Sequence, residues 1–150
     1  IDSNGQDDLI IDFGQAASSA KTGLWIRYNN GASWKWVSKD STAEILTADI
    51  DGNGIKDLVM DFGQDSSSAK TGLWVRYNNS ASWKHIALDS VYEMLASDID
   101  SNGQDDLIID FGQAASSAKT GLWIRYNNGA SWKWVSKDST NGNNNTESPA

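Results

Sequence analysis

A repeat with a spacing of 49 residues is the feature that most constrains how this chain folds. Residues 1–42 and 99–140 are identical, and residues 50–91 match them at two thirds of their positions. Each copy is therefore expected to adopt the same local structure. Because one short repeat cannot bury its own apolar surface, neighbouring copies are expected to stack on one another.

The repeat divides the chain into three units and a tail. The predicted ranges are 1–42 for an incomplete first unit, 43–91 for the second, 92–140 for the third, and 141–150 for a polar loop or tail. The segments that open the second and third units have no equivalent before Ile1. We expect the chain to be a piece of a longer repetitive polypeptide or a deliberately permuted version of one.

Each unit is predicted to contain four short strands and no helix, since its apolar residues alternate or cluster in short runs. In the second unit these strands cover residues 43–50, 57–62, 72–77 and 83–88. Four short strands per repeat, joined by polar loops and Asn-Gly turns, are typical of a β-propeller blade. We therefore predict an all-β fold of three four-stranded antiparallel blades, the first lacking its first strand.

Three blades are too few to close a propeller, because known rings use about four to eight. An open arc would expose two sheet faces and a strand edge, which are aggregation hazards. The expected partners are therefore further blades of the same polypeptide or head-to-tail copies of this chain, two of which would supply six blades. An open stack of sheets without ring curvature is the alternative.

The composition excludes several classes of function. A formal charge of −8 argues against a nucleic-acid partner and against an anionic membrane surface. The chain has no Cys and one His, which excludes disulfides, thiol catalysis and a multi-His zinc site. No apolar run approaches the 18 or so residues that a membrane span requires. No Ser-His-Asp set or phosphate-binding glycine loop is evident, so we predict that the protein is not an enzyme.

An acidic loop is the strongest chemical signal. Residues 49–57 read Asp-Ile-Asp-Gly-Asn-Gly-Ile-Lys-Asp, a closely similar loop occupies 98–106, and the first unit has the motif from its second position onward. Side-chain oxygens fall at positions 1, 3, 5 and 9, glycine at position 6 permits a sharp turn, and position 7 offers a backbone carbonyl. This pattern favours a hard cation such as Ca²⁺, which takes six to eight oxygen ligands. Ordinary Asx turns are the alternative interpretation.

With the Leu and Phe-Gly that follow it, this motif resembles the FG-GAP repeat, also called VCBS, of integrin α-type β-propellers. The resemblance covers residues 1–140 and implies four-stranded blades with a Ca²⁺ loop between strands one and two, commonly in seven-bladed rings. The ligands it implies are Asp49, Asp51, Asn53, Ile55 and Asp57; Asp98, Asp100, Asn102, Gln104 and Asp106; and an incomplete set of Asp2, Asn4, Gln6 and Asp8. The first loop lacks the position-1 Asp, and Asn at position 5 lowers the ligand charge in all three.

The tryptophans divide into three groups by position. Those at mid-strand, Trp25, Trp74 and Trp123, are expected to pack between blades. The candidate ligand-binding residues are Trp36 and Trp134, which stand where the second unit has His85, together with Trp34, Trp83 and Trp132, which suit packing equally well. Trp near Asn, Asp and Arg suits stacking on a sugar ring. The resemblance points the same way, because some fungal and bacterial propellers of this repeat type are lectins.

The leading hypothesis is a calcium-stabilised, non-enzymatic propeller module, extracellular or at the cell surface, that binds carbohydrate or mediates adhesion. The first alternative is a purely structural repeat array that forms a ring, fibre or scaffold without a small ligand. The second is an accessory domain of a larger secreted enzyme. Bound Ca²⁺ would offset much of the negative charge and would cross-link a secreted chain that has no disulfides.

Overall fold

The computed structural model describes most of the chain: residues 1–16, 18, 20–29, 33–65, 68–78, 82–114, 119–127 and 131–140. The predicted tail at 141–150 and the predicted Asn-Gly turns at residues 30–31 and 128–129 lie outside these ranges. None of the described segments forms a helix of the length and hydrophobicity that a membrane crossing requires.

The described residues form eleven strands and no helix, which confirms the all-β prediction. The strands are β1 (Leu9–Asp12), β2 (Leu24–Tyr28), β3 (Ser33–Ser38), β4 (Glu44–Ala48), β5 (Asp57–Asp61), β6 (Leu73–Tyr77), β7 (Ser82–Ala87), β8 (Glu93–Ser97), β9 (Asp106–Asp110), β10 (Leu122–Tyr126) and β11 (Ser131–Ser136). In the second unit, each observed strand lies within two residues of the predicted bounds.

The strands form three antiparallel sheets, each ordered as a simple meander. The first sheet contains β1, β2 and β3, the second contains β4 to β7, and the third contains β8 to β11. We call them repeats one, two and three. The three-stranded first sheet and the two four-stranded sheets agree with the prediction that the first unit lacks its first strand.

The sheets stack face to face, and repeat two lies between the other two. Side chains alternate along each strand, so β5 turns Leu58 and Met60 toward repeat one and Val59 toward repeat three. One buried cluster joins repeats one and two, and it contains Leu24, Ile26, Leu58, Met60 and Phe62. The other joins repeats two and three and includes Val59, Leu73, Val75, Leu107, Ile109 and Phe111. We call the surface toward the preceding repeat the leading face of a sheet and the opposite one its trailing face.

The two outer faces of the stack are open in this chain. Leu9, on the leading face of repeat one, is 48% exposed, whereas its counterparts Leu58 and Leu107 are fully buried. On the trailing face of repeat three, Leu95 is 57% exposed. The same apolar positions that form the contacts between repeats therefore remain accessible at both ends of the stack.

A buried aspartate in repeats two and three anchors the segment that follows the last strand of the sheet. Asp61 accepts hydrogen bonds from the backbone N–H of Gly63 and Val91, each at 2.9 Å. Asp110 accepts bonds from the Ser139 hydroxyl at 2.8 Å and from the Thr140 N–H and hydroxyl at 2.5 and 2.6 Å. Burial alone would raise the pKa of Asp110, but hydrogen bonds from Thr140, Gly112 and Ser139 outweigh it and hold that pKa below its usual value.

Replacing the Asp110 carboxylate is expected to remove part of the pH dependence of the free energy of unfolding. Because the pKa of Asp110 is lower in the folded chain, its bonds stabilise the fold above the ordinary carboxyl pKa and are lost as the pH falls through the folded value. The D110N variant should lose about 1–3 kcal/mol of unfolding free energy at pH 7, and the gap from the parent should narrow below pH 4 or so.

Urea unfolding at pH 7 and pH 3 measures this difference. The control is E93Q, which changes an exposed carboxylate of the same sheet and should retain the parent pH dependence. A D110N variant with the full parent pH dependence would contradict the role given to these bonds.

Candidate metal centre

The acidic loops lie where two strands of a sheet are joined. Residues 49–57 connect β4 to β5, and residues 98–106 connect β8 to β9. In each loop three carboxylates converge, so that one oxygen from each lies within 4.8 Å of the others. The two groups are Asp49, Asp51 and Asp57, and Asp98, Asp100 and Asp106.

The spacing of these oxygens suits a single cation of the size of Ca²⁺. Ca²⁺ binds oxygen at about 2.3–2.6 Å, so two ligands on opposite sides of the ion are about 5 Å apart. A separation of up to 4.8 Å fits this range. Each triad can therefore hold a metal ion without rearrangement of the strands.

The loop backbone holds the position-1 carboxylate in place. Asp49 accepts hydrogen bonds from the N–H groups of Asn53 and Gly54, at 3.0 and 2.8 Å. In the third repeat, Asp98 is bonded in the same way, at 2.9 and 2.8 Å. Gly54 has a φ of +85°, in the left-handed region that glycine adopts without strain, and Gly103 has +88°. The glycine predicted at position 6 is thus required by the turn.

The closing carboxylate is fixed by groups from two strands. Asp57 is fully buried at the start of β5 and accepts bonds from the N–H of Ile50 and of Asn78, each at 3.1 Å. Asn78 follows β6; it also bonds the Lys56 carbonyl through its side chain, and buried Arg76 bonds its amide oxygen at 2.8 Å. In repeat three, Asp106 accepts the corresponding hydrogen bonds from the N–H groups of Ile99 and Asn127.

Asn78 and its counterpart Asn127 are positioning residues that sequence reasoning missed. The Arg-Tyr-Asn sequence recurs in every repeat, and this regularity was the available signal. Nothing in the spacing indicated that an Asn after one strand would bond the carboxylate that opens its neighbour.

The electrostatics of the triad in repeat two favour a bound cation. Burial raises the pKa of Asp57 above its ordinary value, and the nearby Asp51 and Asp49 carboxylates raise it further, against the effect of two backbone hydrogen bonds. The loop therefore concentrates negative charge around a buried carboxylate. A divalent cation would offset this repulsion, so the residues present fit a metal ion.

The remaining predicted ligands take part in Asx turns. The Asn53 amide oxygen accepts the Ile55 N–H at 2.7 Å, and Asn102 bonds Gln104 in the same way. These turns curl each loop around its carboxylates, so the Asx and cation interpretations describe compatible features of one loop. Ile55 and Gln104 are predicted to contribute only their backbone carbonyls.

The first loop differs from the other two. Asn4 N–H bonds Asp2 at 3.2 Å, Gln6 N–H bonds Asn4 at 2.7 Å, and the ammonium group of Ile1 lies 3.2 Å from Asp8. Among the described residues, carboxylate triads occur in the second and third loops.

The second and third loops also contact each other. Asp105 accepts the Asp49 N–H at 2.7 Å and forms an ion pair with Lys56 at 2.9 Å. The Gln104 side chain donates to the Asp51 carbonyl at 3.2 Å. Two residues that were not predicted to have a role, Asp105 and Lys56, thus link one candidate site to the next.

Four of the eight tryptophans, Trp74, Trp83, Trp123 and Trp132, pack against the buried clusters between repeats. The Trp83 ring lies 6.2 Å from Phe62 and 6.4 Å from Trp74, and the Lys70 ammonium lies 4.3 Å from its centre. Trp34 and Trp132 have equivalent neighbours in their own repeats. Because a lysine covers one face of each ring and both rings pack against buried clusters, the geometry favours packing over sugar stacking for Trp83 and Trp132. Trp34 lies on the leading face of repeat one and is 41% exposed.

Trp36 and Trp134 are different, as predicted. They lie on the outer strands β3 and β11 and are 54% and 55% exposed. Their counterpart His85 is also exposed and lies 4.6 Å from the Trp74 ring. This position therefore presents an accessible aromatic ring in every repeat, and two of the three are tryptophan.

A cleft of about 540 Å³ separates repeats two and three on another part of the surface. It includes the exposed ring of Tyr92 beside Asp89 and Ser90, with Phe111 at its wall. Tyr92 lies close to Asp89 and Ser90 in the sequence, but Phe111 joins them in one cleft only because of how the sheets stack.

Comparisons with protein-family models, with curated proteins and with solved structures found no match to this chain. The likeness to the FG-GAP repeat therefore stays a prediction that depends on the residues of the three loops.

Proposed function

We propose that this chain is a calcium-stabilised, non-enzymatic binding module that acts outside the cell or at its surface, with carbohydrate as its ligand. Its three sheets would be blades of a β-propeller. The paired acidic triads support the calcium component, and the exposed Trp36 and Trp134 support the ligand.

In this proposal, each of the two complete loops holds one Ca²⁺. Asp49, Asp51 and Asp57 would bind it in repeat two, and Asp98, Asp100 and Asp106 in repeat three. A bound ion would neutralise the clustered carboxylates and tie the end of one strand to the start of the next. Its role would be structural, because Asp57 and Asp106 are already engaged by backbone N–H groups.

The exposed pair of tryptophans is the observation that carries the carbohydrate proposal. A large ring more than half exposed on a strand costs a soluble protein favourable burial, and aromatic rings are enriched at binding surfaces. The flat face of an indole is complementary to the apolar face of a pyranose. Two such rings in identical repeats would bind a repeating glycan more tightly than one, through effective concentration.

Exchanging both tryptophans for histidine tests the proposed ligand. Repeat two shows that His is accommodated at this position, so W36H/W134H should fold with a melting temperature close to that of the parent. We expect glycan-array and titration measurements, with Ca²⁺ present, to show at least about a tenfold loss of affinity.

The matched comparison is H85W, which completes the set and should raise affinity for the same glycans. A Y92A variant separates the cleft between repeats two and three from the tryptophan surface. No binding to any glycan by the parent chain, with or without Ca²⁺, would exclude the carbohydrate proposal. Full binding by W36H/W134H would exclude these two residues as its site.

A structural array without a small ligand is the second candidate. The observation that favours it is the pair of open sheet faces at the ends of the stack, Leu9 on one and Leu95 on the other. Such an array would show assembly in solution but no glycan binding.

A further inference from the structure

The two open faces of the stack have the same composition as faces that are packed inside it. Repeats one and three are identical over residues 1–42 and 99–140. The leading face that repeat three packs on repeat two is therefore also present, uncovered, on repeat one. Likewise, the trailing face that repeat one packs on repeat two is uncovered on repeat three.

The leading face of repeat one presents apolar side chains that are buried elsewhere. Leu9 and Phe13 are 48% and 37% exposed, whereas the equivalent Leu107 and Phe111 are 0% and 4% exposed. Arg27 follows the same trend, because its counterparts Arg76 and Arg125 are buried against the preceding repeat. This surface differs from the packed one in two ways: it has no covering sheet, and it has no counterpart of β8, whose Met94 is buried on the leading face of repeat three.

The trailing face of repeat three offers a matching apolar surface. It presents Leu95, Ile108, Leu122 and Ile124 where repeat two presents Leu46, Val59, Leu73 and Val75. In repeat two, Val59, Leu73 and Val75 are fully buried against repeat three. The substitutions are conservative, so the face of repeat three suits the same kind of partner.

Polar contacts between repeats are also left incomplete at the ends. Asp40 accepts the N–H groups of Ala69 and Lys70 in the next repeat, at 3.0 and 3.1 Å. Asp89 accepts the Lys119 N–H at 3.0 Å in the same way. The third member of this set, Asp138, is exposed on repeat three. In a corresponding contact between copies, the Asp138 carboxylate would accept hydrogen bonds from the N–H groups of Ala20 and Lys21 of the second copy.

The hydrogen bonds between neighbouring acidic loops are also incomplete at the ends of the stack. Gln104 and Asp105 bond the backbone of the loop at residues 49–57. Repeat one carries the same pair as Gln6 and Asp7, both exposed at the leading face. These side chains are equipped to bond the loop at residues 98–106 of a second copy.

We propose that the chain associates head to tail, with the leading face of repeat one on the trailing face of repeat three of a second copy. The contact is heterologous, so it closes into a ring or extends as a filament according to the rotation per copy. This inference does not depend on the proposed ligand.

Two internal contacts have no equivalent between copies. Within the chain, β8 of repeat three contacts β4 of repeat two, and repeat one has no counterpart of β8. Lys56 pairs with Asp105, but the residue that corresponds to Lys56 in repeat three is Asp105 itself, which would face Asp7 of the next copy. The contact between copies therefore lacks one ion pair and brings two carboxylates together. We expect it to be weaker than the contacts within the chain and to depend on protein concentration.

Sedimentation velocity of the full chain over a wide concentration range, at saturating Ca²⁺, tests the proposal. The parent should exceed the 16.3 kDa chain mass as concentration rises. L9E disables the leading face and L95E the trailing face, and both positions are about half exposed, so both variants should fold. Each alone should associate on the order of 100-fold more weakly, because a charge enters an apolar contact.

Mixing the two variants gives the decisive result. L9E retains its trailing face and L95E its leading face, so an equimolar mixture should form a complex of twice the chain mass. The control L88K changes an exposed residue to the lysine found at the same position in repeats one and three, and it should assemble like the parent.

Three outcomes would overturn the proposal. They are a parent chain that stays monomeric at all concentrations, a single variant that still self-associates, which indicates like faces in contact, and a mixture that remains monomeric. Circular dichroism checks the fold of each variant, and D138N provides a milder trailing-face change if L95E does not fold.

Discussion

Chelation of Ca²⁺ is expected to lower the melting temperature of this protein by roughly 10–20 °C. A ligand present at 100 times its dissociation constant stabilises the folded state by about 2.7 kcal/mol per site, and two triads give about twice that. In a chain of this size, each kcal/mol shifts the melting temperature by about 2–4 °C. Thermal unfolding with added Ca²⁺, Mg²⁺ or chelator measures the effect, and Ca²⁺ should stabilise more than Mg²⁺.

A double variant assigns this effect to the loops. D49N/D98N removes the position-1 carboxylates from both triads, and it should abolish most of the response to Ca²⁺. The control D2N changes the first loop, in which the Ile1 ammonium lies beside Asp8, and it should respond like the parent. A parent melting temperature that chelator leaves unchanged would argue against structural Ca²⁺.

Truncating one leucine in two identical sequence contexts should give very different losses of stability. Leu107 is fully buried between repeats two and three, and Leu9, in the identical segment of repeat one, is 48% exposed. L107A should cost about 2–5 kcal/mol of unfolding free energy, because it removes buried methyl groups and leaves a cavity. L9A should cost no more than about 0.5 kcal/mol in the monomer.

Urea unfolding of both variants, at concentrations where the chain is monomeric, measures this contrast. L58A provides a second buried position and should behave like L107A. Equal losses in L9A and L107A would show that the leading face of repeat one is already covered in solution. At higher concentration, L9A should additionally weaken the proposed association between copies.

Local structure was the most predictable part of this protein. The alternation of apolar residues located the strands of repeat two to within two residues, because side chains on a strand must alternate between two faces. The spacing of oxygens in residues 49–57 predicted a loop that gathers three carboxylates, because the glycine at position 6 permits the turn. These are properties of short segments and need no distant partner.

The supports of the site could not be found in this way. Asn78 reaches Asp57 from the end of another strand, and Asp105 reaches Asp49 from another repeat. Likewise, the sequence made both Trp83 and Trp36 candidates for ligand binding. In the structure, Lys70 covers one face of the Trp83 ring, whereas Trp36 is 54% exposed. Such contacts join residues on different strands or different repeats, so no local pattern specifies them.

The sequence by itself determined that the chain is all-β, that it has three repeats, and that each repeat carries an acidic loop, which joins the first two strands in repeats two and three. Only the tertiary structure decided which copies of a residue are buried. Residues 1–42 and 99–140 are identical, yet Leu9 is half exposed and Leu107 is inaccessible. The physical reason is that burial depends on the neighbouring sheet, and repeat three has one on its leading face while repeat one has none.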